Sequence, residues 1–181
     1  MKLFLIAISL SIFLSGCLKE DSVLPDPSGI KTGIIVPNSN WPTGCSFGIA
    51  DSIFISPDPT DTLRLYARVS HSGTLDHDLK VSFAKDTALI SKYNGGACGG
   101  GGFGGGGPLP IYELLPDSCY RIESLQLTIP KGTRQAYLPI VIFPDKINSG
   151  IYYMLAFTIT DAQGEMVASN FKSMLFPMLK P

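Results

Sequence analysis

Charge is scarce in this sequence and nearly balanced: 16% of the 181 residues are charged, with 14 Lys and Arg against 15 Asp and Glu. Without a net field there is no broad footprint for a phosphate backbone, and no nucleic-acid partner is expected. Histidine is scarcer still. His71 and His77 sit with Asp76 and Asp78 in "HSGTLDHDL", a polar stretch between apolar runs. Imidazole beside carboxylate is what acid–base chemistry or zinc would use, but Ser72-Gly73 marks a turn, and hairpin loops are polar for solvation. The four cysteines include no CxxC spacing, so no metal is expected. Long apolar runs are lacking too. The run from Leu3 to Leu14, softened by Ser9 and Ser11, stops short of the roughly 20 residues that cross a bilayer core.

That run follows Lys2 and precedes Ser15-Gly16-Cys17, the layout of a signal peptide. Leu14-Ser15-Gly16-Cys17 resembles the lipobox of bacterial lipoproteins, where small residues admit the peptidase and the cysteine thiol carries a diacylglyceryl group. The resemblance implies a leader over residues 1–16, a mature chain that begins at acylated Cys17, and a membrane partner held through that anchor. More than one acyl chain makes such attachment stable. Lys19-Glu20-Asp21 is similar to the acidic export tag of Bacteroidetes lipoproteins, which implies an outer-membrane protein facing the cell exterior; a solvated linker has the same composition. Residues 17–31, polar with Pro25 and Pro27, read as a flexible lipidated tether.

From residue 32 to 181 short apolar runs alternate with turn residues: "GIIVP", "SIFIS", "LRLYARVS", "LKVSFAKD", "IESLQLTIP", "AYLPIVIFP", "IYYMLAFTIT" and "MVASNFKSMLF". Period two with β-branched and aromatic enrichment predicts strands. In "LRLYARV", Leu63, Leu65, Ala67 and Val69 take one face and Arg64, Tyr66 and Arg68 the other. One short helical turn is expected at "DTALISKYN", with Asp86 as its cap. The expectation is all-β: an immunoglobulin-like antiparallel β-sandwich of about eight strands. Pro139, inside an apolar run, calls for an edge strand or a bulge.

The succession "LKVSFAKDTALISKYN", "YELLPDSCYRIESLQLTIPKG" and "QAYLPIVIFPDKINSGIYYMLAFTITDAQG" is similar to a Bacteroidetes surface-lipoprotein domain of unknown function, family 1735, found at the N-terminus of glycan-utilisation proteins. Its marks here are Tyr93-Asn94, Leu115-Pro116 followed by Tyr120, the turn Ile129-Pro130-Lys131-Gly132 and a closing pair of long strands. The resemblance implies an Ig-like sandwich on the cell surface, often beside a catalytic or glycan-binding domain. The chain departs from the pattern at its glycine run, and no second domain is expected after Pro181.

That run, residues 95–107, holds only Ala97, Cys98 and Phe103 besides glycine. A phosphate loop needs Lys and Ser or Thr opening a helix after the last glycine; Pro108-Leu109-Pro110 follows instead. The run therefore reads as a pliant excursion, with Phe103 as its one ligand-touching candidate. Beyond Cys17, three cysteines remain, and they cannot all pair within one chain. Cys98–Cys119 is the favoured bridge and Cys45–Cys119 the alternative. Trp41, in "NSNWPTG", offers a flat face for a sugar ring or a partner, or else plugs one end of the sandwich. Tyr112, with Tyr66 and Tyr153, is a candidate for the same platform.

Hydrolysis of a glycosidic bond needs two carboxyls about 5–10 Å apart in a cleft, and no such pair is legible. No catalytic residue, cofactor or enzyme activity is expected. The function expected is a non-catalytic binding or accessory module in glycan capture, with polysaccharide or an outer-membrane transporter component as partner. The alternative is a structural or adhesive protein-docking domain that binds no glycan.

Overall fold

The computed structural model describes residues 33–39, 41, 53–55, 58–70, 74–97 and 110–181. The leader, Cys17, the tether, Cys45, His71, Cys98 and Phe103 lie outside the described residues, so the expectations placed on them are not addressed by the fold.

Eleven strands are present among the described residues: β1 (Gly33–Ile35), β2 (Ile53–Phe54), β3 (Asp61–Val69), β4 (Leu79–Lys85), β5 (Glu113–Leu114), β6 (Tyr120–Arg121), β7 (Gln126–Ile129), β8 (Gln135–Ile142), β9 (Tyr152–Asp161), β10 (Met166–Val167) and β11 (Ser173–Leu179). They form a five-stranded sheet in the order β10-β1-β3-β8-β6 and a six-stranded sheet built on β2-β11-β9-β4-β7, with β5 also on β9. All the long pairings are antiparallel, as expected. Three short ones, β1 with β10, β2 with β11 and β5 with β9, are parallel. The number exceeds eight because β5 and β6, of two residues each, carry too little alternation to be legible, and β10 and β11 lie in what reads as one run.

The alternation in β3 is realised: Leu63, Leu65, Ala67 and Val69 are buried, while Arg64 is exposed and Tyr66 and Arg68 are half-buried. Facing them across the core are Tyr153, Leu155, Phe157 and Ile159 of β9 and Phe176 and Met178 of β11. Each such fully buried aliphatic or aromatic side chain contributes about 1.5–3 kcal/mol by leaving water.

Pro139 sits opposite Arg64 in the β3–β8 ladder. The Val69 N–H donates to Arg134 O at 2.8 Å, and hydrogen-bonded pairs alternate along an antiparallel ladder, so Arg64–Pro139 falls on a pair that exchanges no such bonds. The imide nitrogen then faces the far edge, where β6 pairs only Val141 and Ile142. The missing N–H costs no ladder bond there, as an edge position requires.

After β4 the chain leaves the edge of β9, forms helix α1 (Thr87–Lys92) and a wider turn at Tyr93–Ala97, and returns as β5 on the same edge. Asp86 stands at the N-cap but makes no side-chain cap bond. Its Oδ2 instead accepts from Thr158 Oγ1 at 2.9 Å, because the sheet hydroxyl beside it competes with the helix amides. Leu89, Ile90 and Tyr93 pack with Met154, Ala156 and Leu175 on the outer face of the six-stranded sheet, making a second, smaller core. Asn94 closes the base of the glycine excursion: its Nδ2 donates to Tyr112 O at 2.8 Å and its Oδ1 accepts from the Tyr112 N–H at 3.0 Å.

Candidate functional site

A cleft of about 410 Å³ opens where the end of β4 meets β6 and the segment after it, lined by Lys85, Asp117, Tyr120, Arg121, Ile122, Leu125 and Phe157. Each polar group arrives by a different route. Lys85 ends β4; Asp117 opens a one-turn 3-10 helix, Asp117–Cys119, that runs into β6; Tyr120 begins β6 opposite the inward-facing Ile142. The cleft lies between Tyr120 of the five-stranded sheet and the buried Phe157 of β9.

The three polar groups satisfy one another. Tyr120 donates its hydroxyl to Asp117 Oδ1 at 2.6 Å, and the Lys85 ammonium donates to the same oxygen at 2.7 Å and to Tyr120 Oη at 3.2 Å. The Asp117 carboxylate, with Tyr120 adding to it, raises the pKa of Lys85. Lys85, then Tyr120, hold the Asp117 carboxyl below the usual carboxylate range. Burial first, and Asp117 second, push the Tyr120 phenol up. Every shift moves its group away from neutrality, so the cluster is an ammonium, a carboxylate and a neutral phenol at pH 7. General acid–base catalysis works best with a pKa near the operating pH, and this set is tuned the other way. What it can do is present fixed donors and acceptors over an apolar floor, the composition of a small-molecule or sugar subsite.

The residues singled out in the sequence are not brought together. Trp41 is half-buried, bridges Ser173 and packs on the second core, so it covers the outer face of the six-stranded sheet rather than one end of the sandwich. Tyr112, expected on an exposed platform, is 5% exposed. Its ring is edge-on to Tyr93 and Tyr152, at 5.4 and 5.7 Å, and it packs with Leu89 and Ile90 of α1 in the second core. Tyr153 is in the main core and Tyr66 on the outer face of the opposite sheet, beside Tyr137. Cys119, at the end of the 3-10 turn, is a buried thiol whose Sγ donates to Lys146 O at 3.1 Å; Cys98 and Cys45, the partners expected for it, lie outside the described residues. His77 meets only Asp76, Nδ1 to Oδ1 at 2.6 Å, on the surface, and among the described residues no three His, Cys, Asp or Glu side chains converge as a metal site would need.

Sequence reasoning missed the cleft. The Asp117-x-x-Tyr120 spacing, one 3-10 turn, could have suggested the hydroxyl–carboxylate bond. Nothing local pointed to Lys85, which lies 32 residues from Asp117.

Residues 47–166, well over half of the chain, match a family described as an N-terminal domain. The chain belongs to that family. In fold it is similar to the crystal structure of a candidate carbohydrate-binding protein from Bacteroides ovatus, at a TM-score of 0.57 and 14% identity, over 82% of this chain and 37% of the other. A Bacteroides ovatus protein of unknown function matches at 0.57 and 20% identity, over 81% of this chain and 45% of the other. A multidomain protein including DUF1735, from the same organism, matches at 0.52 and 16% identity, over 77% and 45%. The chain therefore spans less than half the length of these structures, and at such identities they establish the β-sandwich. No curated protein matches the sequence.

Proposed function

We propose that this chain is a lipid-anchored, outward-facing module of the bacterial outer membrane that binds glycan without converting it. The observation that carries the reading is the cleft: a fixed ammonium, carboxylate and phenol over Phe157, Ile122 and Leu125, with every titration shifted away from neutral pH. Hydroxyl-rich ligands are bound by such arrays, with polar groups fixing orientation and apolar surface supplying contact. Two further facts support it, membership of the N-terminal-domain family and a structural neighbour from Bacteroides ovatus described as a candidate carbohydrate-binding protein. Anchoring rests on the lipobox at Cys17, and a transporter component of the outer membrane is the proposed protein partner.

The test is affinity electrophoresis of the chain in gels cast with neutral plant and host polysaccharides. Leu125→Glu, which obstructs the mouth of the cleft, should abolish retardation, and Trp41→Ala should leave it unchanged. Uniform migration with every neutral polysaccharide sinks the cleft as the glycan site. A second reading, protein docking, has its own observation: Ile111 is 75% exposed and Leu114 40%, three residues apart where the chain enters β5. A cross-link on intact cells that maps to this edge and persists without glycan would favour it.

A further inference from the structure

The outer face of the five-stranded sheet is sorted by chemistry. The chain has only four arginines, Arg64, Arg68, Arg121 and Arg134, among its 14 cationic residues. Strand register places the first three on this face, while the five strands contain no lysine. Arg64 and Arg68 alternate with the buried row of β3, and Arg121 of β6 stands opposite Val141 at the edge that borders the cleft. Tyr66 and Tyr137 are directly opposed between them, with ring centroids 5.5 Å apart and planes at 54°. The Arg64 guanidinium lies 5.1 Å over the Tyr137 ring, which is 45% exposed.

Nothing on the face balances that charge. The outward positions of β3, β8 and β6 include no Asp or Glu, and among the described residues none of the three arginines is in a salt bridge. The one acid in the five strands, Asp61, opposes the inward-facing Ile142, and its Oδ1 accepts from the Thr62 N–H at 2.6 Å. A face that only had to stay soluble would mix signs and use lysine, which is the more strongly hydrated cation. Arginine differs by its planar fork, which takes a carboxylate or sulfate bidentately, and a tyrosine ring beside it offers a flat apolar surface to a sugar.

We propose that this face binds an anionic polysaccharide, with acid groups held by Arg64 and Arg68 and sugar rings stacked on Tyr66 and Tyr137. The proposal rests on the glycan reading above and adds a second surface and a charge class of ligand. Arg64 and Arg68 are four residues apart, about 13 Å along the strand, so one monosaccharide does not reach both and a polymer is required.

Electrophoresis of the full chain in gels containing polygalacturonate, dextran sulfate, neutral dextran or polyglutamate tests it. Retardation is expected with polygalacturonate or dextran sulfate, the two arms separating uronate from sulfate, and none with neutral dextran; free galacturonate should not compete, because a polymer is required. The double variant Arg64→Gln/Arg68→Gln should weaken binding at least about tenfold, and Arg64→Lys should weaken it in part although charge is kept. Tyr137→Ala, at an exposed position, should weaken polysaccharide binding without unfolding the chain, as circular dichroism will report. Retardation by neither polyanion overturns the proposal. So does equal retardation by polyglutamate with Tyr137→Ala silent, which leaves an unspecific cationic patch. A neutral glycan bound in the cleft, blocked by Leu125→Glu and indifferent to the arginine variants, overturns this inference while the broader reading stands.

Discussion

Asp117 and Lys85 tie the cleft to pH. The carboxyl is depressed by the ammonium and the phenol, and the ammonium is raised by the carboxylate. A depressed acid contributes its stabilisation fully above its ordinary pKa and loses it as pH falls through the lower, folded value. A raised base contributes below its ordinary pKa and loses it as pH rises through the higher one. The arrangement is thus intact from mildly acidic to mildly alkaline pH and opens at both extremes. Carbon-detected NMR should find Asp117 titrating below an ordinary aspartate, and Asp117→Asn should bring the Lys85 midpoint down. An Asp117 midpoint at or above the ordinary value contradicts the geometry. Because Asp117 is largely exposed, solvent screens the pair, and its role is orientation more than stability. At this scale the sequence was least legible. Trp41, Tyr112 and Cys119 were visible as unusual residues, but their surroundings were not, since a side chain's partners across two sheets leave no local pattern.

Helix α1 is six residues long, too short to be stable in isolation, and exists because Leu89 and Ile90 bury themselves on Met154, Ala156 and Leu175. Ile90→Ala should therefore destabilise the chain by about 2–4 kcal/mol, read from the denaturation midpoint at unchanged slope. A loss near zero would mean that the helix is not packed as described. The element itself was legible in "DTALISKYN", and its cap residue was named, yet the side chain of Asp86 serves Thr158 instead. A cap is a local signal, whereas the competing hydroxyl comes from 72 residues away. Long strands were read from period two, and Pro139 was read from its chemistry; the two-residue strands β5 and β6 had no period to read, and β10 and β11 were read as one run. Asn94, just past helix α1, is tied to Tyr112 by two hydrogen bonds.

For the whole molecule, the decisive pairings are distant in sequence. Strand β1 pairs with β10, β2 with β11, and β11 runs along β9 from Tyr152 to Thr158. Removing residues 173–181 strips the edge of β9 and takes Leu175, Phe176 and Met178 from the two cores. That truncation should abolish cooperative unfolding and near-ultraviolet dichroism; a sharp transition in the truncated chain would mean that β11 is peripheral. By itself the sequence determined the class of fold, the inward row of β3, the place of the helix and the edge position of Pro139, because alternation, helix-breaking chemistry and a missing N–H act within a few residues. Only the tertiary structure decided that Lys85, Asp117 and Tyr120 share a cleft, that three arginines and two tyrosines share one face, and that Tyr112 is covered. Those facts depend on which strands become neighbours, and neighbour choice is set by the packing of two sheets rather than by any stretch of chain.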